Sequence, residues 1–184
     1  MNLYDEQSTC QRIQLERDPT LGLQLFLDGM VQFTEAVEHR YHECLAVLPC
    51  LYTTPRSVFI GGGGDGLAAR RLLRFASVER IVVCDYDPAM TGLAMSHPEL
   101  LRLNAQALKD ERVTVINTDA VRWLEEADEQ FDVIICDFPD PYYPEAGPLY
   151  SAGFYRTVAE KLAPGGLMVT QTLIVPEVTR TVRA

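Results

Sequence analysis

The sequence has few of the features that stabilise secreted or metal-bound scaffolds. Its 184 residues include only five cysteines, an odd number with no C-x-x-C pair. No histidine and cysteine spacing is typical of a metal site, and no G-x-S-x-G nucleophile elbow occurs. This usage predicts a reduced, cytoplasmic protein with free thiols and no bound metal.

Long apolar runs and an excess of basic residues are also lacking. No apolar stretch reaches the roughly 18 residues that a membrane helix needs, and the opening MNLYDEQSTC has neither a basic start nor an apolar run. Lys and Arg number 16 against 26 Asp and Glu, a net charge of -10. We therefore expect a soluble chain that does not bind nucleic acid. Its acidity reflects either solubility or a cationic ligand.

The hydrophobic pattern of residues 10–37 alternates between apolar and polar positions. Asp28-Gly29 is a hairpin signal within it. Apolar residues with the spacing of an α-helix follow, up to Pro49. The pattern predicts an N-terminal domain over residues 1–50, a small β-hairpin unit or β-meander with a linking helix.

From residue 57 onward, short and wholly apolar runs alternate with helical patterns. The runs are SVFI, RIVVC, VTVIN, FDVIIC and LMVTQ. Strands that are apolar on both faces and lie between helices are typical of a parallel sheet covered on both sides. The pattern predicts an α/β fold with five recognisable parallel strands, a Rossmann-like nucleoside-binding domain over residues 51–184.

The glycine-rich stretch GGGGDG, residues 61–66, follows the first of these strands. Gly61, Gly63 and Gly66 match G-x-G-x-x-G between a strand and a helix, which favours a nucleotide or nucleoside ligand. Asp65 would repel the pyrophosphate of a dinucleotide. S-adenosylmethionine fits if Asp65 meets its ammonium group rather than its carboxylate. Decarboxylated S-adenosylmethionine fits best, because it carries an ammonium and a sulfonium and no carboxylate.

Acidic residues follow most of the predicted parallel strands. Ligands of open parallel sheets bind beyond the carboxyl ends of the strands, and four of the five ends carry an acid: Asp65, Asp85, Asp119 and Asp137. Asp85 lies 22 residues after Gly63, where an acid can accept both ribose hydroxyls. Asp119 either caps the next helix or contacts the ligand. Asp137 is either a base with a tuned pKa or a satisfied structural acid.

Other polar residues near these strands have local explanations. Asp87 precedes Pro88 and is expected to be a helix N-cap. Asp140 precedes Pro141, where an aspartate is most often a turn residue. His42 follows Tyr41 on the linking helix, where a single histidine is more often structural than catalytic.

Four motifs in this order and spacing resemble the polyamine aminopropyltransferase, or spermidine synthase, family along residues 10–172. They are LFLDGMVQFTE…YHE, GGGDG, VVCDYD and DFPDP, and the resemblance is to the bacterial branch with a D-x-P-D-P loop. It implies a methyltransferase-like Rossmann domain. It also implies transfer of the aminopropyl group from decarboxylated S-adenosylmethionine to putrescine or a related polyamine, leaving methylthioadenosine, with no tightly bound cofactor. An S-adenosylmethionine-dependent methyltransferase and a non-catalytic ligand-binding or oligomerising module remain alternatives.

The resemblance assigns roles by position. The donor site would comprise Gln11, Gly61, Gly63, Asp65, Gly66, Asp85, Asp119, Ala120 and Asp137. The acceptor site would comprise Gln32, Tyr41, His42, Asp137 and Asp140. Catalysis would fall to Asp137, Tyr41 and Asp140, with Asp137 helping to take a proton from the attacking amine. Because the family's sheet continues with two further strands, we also expect an open edge at the fifth strand and a homo-oligomer.

Overall fold

The computed structural model of the chain describes residues 1–139 and 144–171. Its first part is an antiparallel sheet of four strands in the order β1-β2-β3-β4. The strands are β1 (Asn2–Gln7), β2 (Arg12–Asp18), β3 (Gly22–Leu27) and β4 (Met30–Thr34). Alternate residues of β2 and β3, among them Ile13, Leu15, Leu23 and Leu25, are buried on one face. We did not expect β1, because its sequence NLYDEQ has too few apolar residues to show alternation.

A helical segment joins this sheet to the rest of the chain. It consists of α1 (Glu38–His42), a π-helical turn (Glu43–Val47) and α2 (Leu48–Thr53). Leu45, Ala46 and Cys50 are buried in the same core cluster as the parallel sheet, so the segment packs on that sheet. The predicted domain boundary at residue 50 falls within α2 and stays a prediction.

The second sheet confirms the predicted α/β fold with five parallel strands. Its order is β7-β6-β5-β8-β9, and every neighbouring pair is parallel. The strands are β5 (Ser57–Gly62), β6 (Arg80–Asp85), β7 (Val113–Asn117), β8 (Phe131–Asp137) and β9 (Leu162–Thr170). The chain reverses its direction of strand addition between β5 and β8, and ligands bind at such a switch point.

Helices cover both faces of the parallel sheet. They are α3 (Leu67–Leu72), α4 (Pro88–Ser96), α5 (Pro98–Leu103), α6 (Ala120–Glu126) and α7 (Ala152–Lys161). Successive residues of β5 face opposite sides: Val58 and Ile60 join the cluster under α3 to α5, and Phe59 joins the cluster under α6 and α7. This burial on both faces explains why the strands lack polar alternation.

The last strand begins earlier than the sequence predicts. Leu162 pairs with Phe131, and the next paired residue is Leu167, opposite Val133. The intervening residues APGG, which precede the predicted strand LMVTQ, form a bulge within β9 that includes Gly165 at φ +80°. Along residues 1–139 and 144–171, no helix is long and apolar enough to cross a membrane.

Candidate functional site

The glycine loop brings the backbone against two strand ends. Gly62, Gly63 and Gly66 have φ values of +81°, +70° and +81°, a region that side chains other than glycine rarely adopt. A Cβ atom on Gly62 would lie 2.1 Å from the carbonyl oxygen of Asp137, and one on Gly64 would lie 2.4 Å from Asp85 Oδ2. The loop therefore needs glycine both for its turn and for its close approach to β6 and β8.

Asp85 is held at the end of β6 by two backbone hydrogen bonds. Its Oδ2 accepts from the N–H of Gly64 at 2.9 Å, and its Oδ1 accepts from the N–H of Asp87 at 2.9 Å. Burial, together with the charges of Asp65 and Asp87, raises the pKa of Asp85 to about 6 against the lowering effect of the two hydrogen bonds. Each carboxylate oxygen keeps a second lone pair that could accept a hydrogen bond from a hydroxyl group.

Asp137 ends β8 opposite Gly62, at the switch point of the sheet. Its Oδ1 accepts a hydrogen bond from the hydroxyl of Tyr41 on α1. Burial raises the pKa of Asp137 to about 6; the Tyr41 hydrogen bond and the charge of His42 lower it, and Asp65 raises it. The same contact, with burial, raises the pKa of the Tyr41 phenol, so this hydroxyl stays a donor. Asp137 therefore combines ready protonation near neutral pH with a fixed orientation.

His42 is buried beside Glu38, one helical turn earlier. Its Nδ1 lies 2.8 Å from the carbonyl oxygen of Glu38 and 3.1 Å from Glu38 Oε2. Arg70 Nη2 donates to both carboxylate oxygens of Glu38 at 2.7 and 2.8 Å. Burial alone would raise the pKa of Glu38, but the hydrogen bonds to His42 and Arg70 lower it to about 2. Sequence reasoning missed Glu38 and Arg70; the acid four residues before His42 was the available signal.

Asp87 connects the two sheets. As predicted, it is the N-cap of α4, with Oδ1 accepting from the N–H of Ala89 at 2.9 Å. Its Oδ2 accepts from Ser8 Oγ at 2.8 Å and from Gln11 Nε2 at 3.0 Å. Gln11 therefore lies beside the end of β6, because its partner Asp87 follows Asp85 by two residues. No local pattern singled out Ser8.

The remaining candidate residues lie in more ordinary environments. Asp119 caps α6, accepting from the N–H groups of Val121 and Arg122 at 2.8 and 3.2 Å. This is one of the two roles expected for it, and a contact with the ligand stays a prediction. Asp65 Oδ1 accepts from the N–H of Leu67 at 2.8 Å. Gln32 is exposed on β4, and its Nε2 donates to the carbonyl of Met30 at 3.2 Å rather than to another candidate residue.

Of the two remaining predicted residues, only Ala120 lies in the described part of the chain. Ala120 is buried at the start of α6, and its Cβ lies 3.4 Å from where a Cβ on Gly61 would stand. Asp140 lies outside the described residues.

The electrostatics of the site favour a cation. Asp65, Asp85 and Asp137 interact with one another through their charges, and within the described part of the chain none of them forms an ion pair with Lys or Arg. The charge of Asp65 raises the pKa of both Asp85 and Asp137. An ammonium or sulfonium ligand would relieve this repulsion, and an anion would add to it.

Sequence similarity to known proteins indicates the family to which the chain belongs. The family model described as "Spermine/spermidine synthase domain" matches residues 38–182. A polyamine aminopropyltransferase of Leptospira interrogans is 42% identical over 172 residues, which cover 92% of this chain and 34% of that protein. Polyamine aminopropyltransferase 2 of Ralstonia nicotianae is 48% identical over 152 residues, 81% of this chain and 29% of that protein.

Solved structures agree with this result. A spermidine synthase crystallised with the transition-state analogue AdoDATO has a TM-score of 0.91 and 30% identity, covering 99% of this chain and 64% of that one. A Thermotoga maritima spermidine synthase has a TM-score of 0.83 and 28% identity, covering 99% and 60%. The chain spans about a third of the length of the curated relatives that it matches. On these grounds, the chain belongs to the spermine/spermidine synthase family.

Proposed function

We propose that the protein is an aminopropyltransferase that moves the aminopropyl group of decarboxylated S-adenosylmethionine to putrescine or a related polyamine. The observation that carries the proposal is the set of three carboxylates, Asp65, Asp85 and Asp137, which gather at the strand ends beside the glycine loop and have no Lys or Arg partner among the described residues. Both substrates of this reaction are cations. The names of the relatives, polyamine aminopropyltransferase and spermidine synthase, support the same reaction class.

In this proposal the nucleoside donor binds along the ends of β5, β6 and β7. Asp85 accepts the ribose hydroxyls, since its carboxylate is held toward the glycine loop by the N–H of Gly64. Asp65 meets the ammonium of the aminopropyl group, and Asp137 lies near the sulfonium. The remaining donor residues are those given by the resemblance: Gln11, Gly61, Gly63, Gly66, Asp119 and Ala120.

The acceptor amine binds beside the contact of Tyr41 with Asp137, where α1 meets the end of β8. His42, Gln32 and Asp140 complete the proposed acceptor set. A protonated amine is not a nucleophile, so the site must both attract the cation and remove a proton. Asp137 suits this task because its pKa is raised to about 6. Transfer then requires the amine nitrogen, the reacting carbon and the sulfur to be held in line.

The decisive experiment is an aminopropyl transfer assay with decarboxylated S-adenosylmethionine and putrescine, with calorimetry of methylthioadenosine binding. We expect turnover, and a loss of about 100-fold or more in kcat for Asp137→Asn. Asp128→Asn, at an exposed residue after α6, is the matched control and should retain activity. Binding of S-adenosylhomocysteine in preference to methylthioadenosine, without aminopropyl transfer, would instead indicate a methyltransferase.

We also propose a cytoplasmic protein that self-associates. All five cysteines are free, including the buried Cys50, Cys84 and Cys136, as suits a reducing compartment. β9 is the last strand of the sheet as described, with Leu167 partly exposed on it. Sedimentation velocity over a range of concentrations measures the association state; a monomer at all concentrations would contradict self-association.

A further inference from the structure

The hydrogen bonds of His42 determine which ring nitrogen carries its proton. Nδ1 lies within hydrogen-bond distance of two oxygens, the carbonyl of Glu38 and Glu38 Oε2. A carbonyl oxygen can only accept, so Nδ1 must be the donor. In the neutral imidazole the lone pair then resides on Nε2. Nε2 has no hydrogen-bond partner along residues 1–139 and 144–171.

Glu38 is itself held in place by α3. Arg70 contacts both of its carboxylate oxygens and also donates to the carbonyl of Leu103, so the guanidinium cannot turn away without losing three hydrogen bonds. Glu38 is 6% exposed and His42 2% exposed, which keeps water from competing for either group. Arg71 lies near the same carboxylate, at 3.7 Å.

Beyond Glu38, the charged groups that interact with His42 come from two other elements of the fold. Asp65 of the glycine loop and Asp137 of β8 both act on its charge, and Tyr41 packs edge-on against its ring. Burial alone would lower the pKa of His42, but Glu38, Asp65 and Asp137 raise it. The imidazole is thus electrostatically part of the same carboxylate site.

We infer that Glu38 is a positioning residue: its carbonyl commits Nδ1 of His42 as a donor, and its carboxylate, held by Arg70, fixes the ring, so that Nε2 of the neutral imidazole is presented as the hydrogen-bond acceptor for a ligand ammonium. This inference rests on the proposed function for the identity of the ligand. The arrangement follows the general logic in which a third group orients a base. It gives Glu38 a role although Glu38 does not touch the substrate.

The tautomer can be measured in the unmodified protein without any ligand. Long-range ¹H–¹⁵N spectra of ¹⁵N-histidine-labelled protein, above the histidine pKa, should show neutral His42 with hydrogen on Nδ1. His97 is an internal control of opposite tautomer, because its Nδ1 accepts from the N–H of Glu99 at 3.3 Å. Spectra of His39→Gln and His97→Gln assign the signals. A neutral His42 with hydrogen on Nε2 would overturn the inference.

Glu38→Gln tests the carboxylate separately from the carbonyl. The variant keeps the Glu38 carbonyl as acceptor, so we expect the tautomer to persist and the His42 pKa to fall in an NMR titration. The matched control is Glu43→Gln. Glu43, on the helical turn after Glu38, forms an ion pair with Arg71, and its replacement should leave the His42 titration unchanged. An unchanged His42 pKa in folded Glu38→Gln would contradict the role of Glu38. If Glu38→Gln does not fold, the spectrum of the unmodified protein decides.

Ligand contact is tested with putrescine in the presence of methylthioadenosine. We expect saturation to shift the His42 Nε2 resonance and leave that of His97 in place, and Glu38→Gln to raise the KM for putrescine about 10-fold with a smaller effect on kcat. Saturation that leaves Nε2 unshifted would overturn the acceptor role. Absence of binding by calorimetry would instead contradict the proposed function, while the ligand-free spectrum still reports on Glu38 and His42.

Discussion

Asp132 and Asp137 lie near opposite ends of β8, and their surroundings shift their pKa values in opposite directions. Asp132 Oδ2 accepts hydrogen bonds from the N–H groups of Arg56 and Ser57 at 2.8 and 2.9 Å. Burial alone would raise the pKa of Asp132, but these bonds lower it. Asp137, at the edge of the sheet proposed to bind the ligands, has a pKa raised by burial to about 6. The same strand thus carries one carboxylate whose ionised form stabilises the fold, Asp132, and one whose ionised form destabilises it, Asp137.

Substitution of these two residues should therefore have opposite effects on stability. The pKa of Asp137 rises from an ordinary 3.8 to about 6 on folding, so its favourable contribution is complete below pH 4 and is lost as the pH rises through 6. We expect Asp137→Asn to increase the free energy of unfolding at pH 8 by about 1–3 kcal/mol and to have little effect at pH 4. Urea denaturation at both pH values measures this.

Asp132→Asn is the matched comparison on the same strand. The folded pKa of Asp132 is lowered, so its stabilising contribution is present above about pH 4 and is lost as the pH falls. The substitution should reduce the free energy of unfolding at pH 8 by about 1–3 kcal/mol. Equal signs for the two variants at pH 8 would contradict the opposed environments.

Asp65→Asn should discriminate between two nucleosides. Asp65 is proposed to meet the ammonium of the donor, which methylthioadenosine lacks. A hydrogen bond to a charged group contributes about 1.5–3 kcal/mol, so we expect binding of decarboxylated S-adenosylmethionine to weaken by about 10- to 100-fold. Methylthioadenosine binding should change by less than about threefold. Calorimetry with both nucleosides checks this, and equal weakening would show that Asp65 acts on the loop instead.

Tyr41→Phe should shift the pH dependence of the reaction. The hydroxyl of Tyr41 lowers the pKa of Asp137 by hydrogen bonding, so its removal should raise that pKa above about 6. The acidic limb of the kcat/KM profile should then move to higher pH. Tyr52→Phe, at an exposed tyrosine of α2, is the control and should leave the profile unchanged. If kcat/KM falls at every pH and its acidic limb stays at the same pH, Tyr41 acts in substrate binding alone.

Binding of the cationic donor should release protons below neutral pH. Asp85 and Asp137 have pKa values of about 6 in the free protein, and a cation favours their ionised forms. Affinity should therefore fall by about 10-fold or more between pH 8 and pH 5. Calorimetry in two buffers of different ionisation enthalpy counts the protons. The uncharged methylthioadenosine should show a smaller pH dependence, and proton uptake on donor binding would be the opposite of what we expect.

Two glycines provide a contrast that depends only on the fold. Gly62 has φ +81° and no room for a Cβ beside the carbonyl of Asp137, so Gly62→Ala should destabilise the protein by about 2 kcal/mol or more. Gly92 lies within α4 with nothing near the position of a Cβ, so Gly92→Ala should stabilise by about 0.5–1 kcal/mol. Thermal unfolding of both variants measures the difference, and a stable Gly62→Ala would contradict the loop geometry.

The features predicted from sequence are those that depend on neighbours in the chain. The parallel strands follow from apolar runs between helices, and the Asp87 and Asp119 caps follow from the residues beside them. The unpredicted contacts join distant residues: Glu38 and Arg70 are 32 residues apart, and Ser8 and Asp87 are 79 apart. No local pattern encodes such pairings, because they depend on how the N-terminal sheet and the linking helix pack against the α/β part of the chain. β1 was missed because its pairing with β2, not its own composition, makes it a strand.

The contact of Ser8 and Gln11 with Asp87 limits how freely the N-terminal sheet can be exchanged. Both side chains come from the turn between β1 and β2, and both donate to Oδ2 of Asp87, the N-cap of α4. Asp87 follows Asp85 by two residues. A chimaera that replaces this sheet with that of a relative would therefore have to retain a donor opposite Asp87. Without one, the substituted module would leave Oδ2 of Asp87 unsatisfied next to the proposed nucleoside site. The two sheets are thus a single functional unit, although their topologies suggest interchangeable parts.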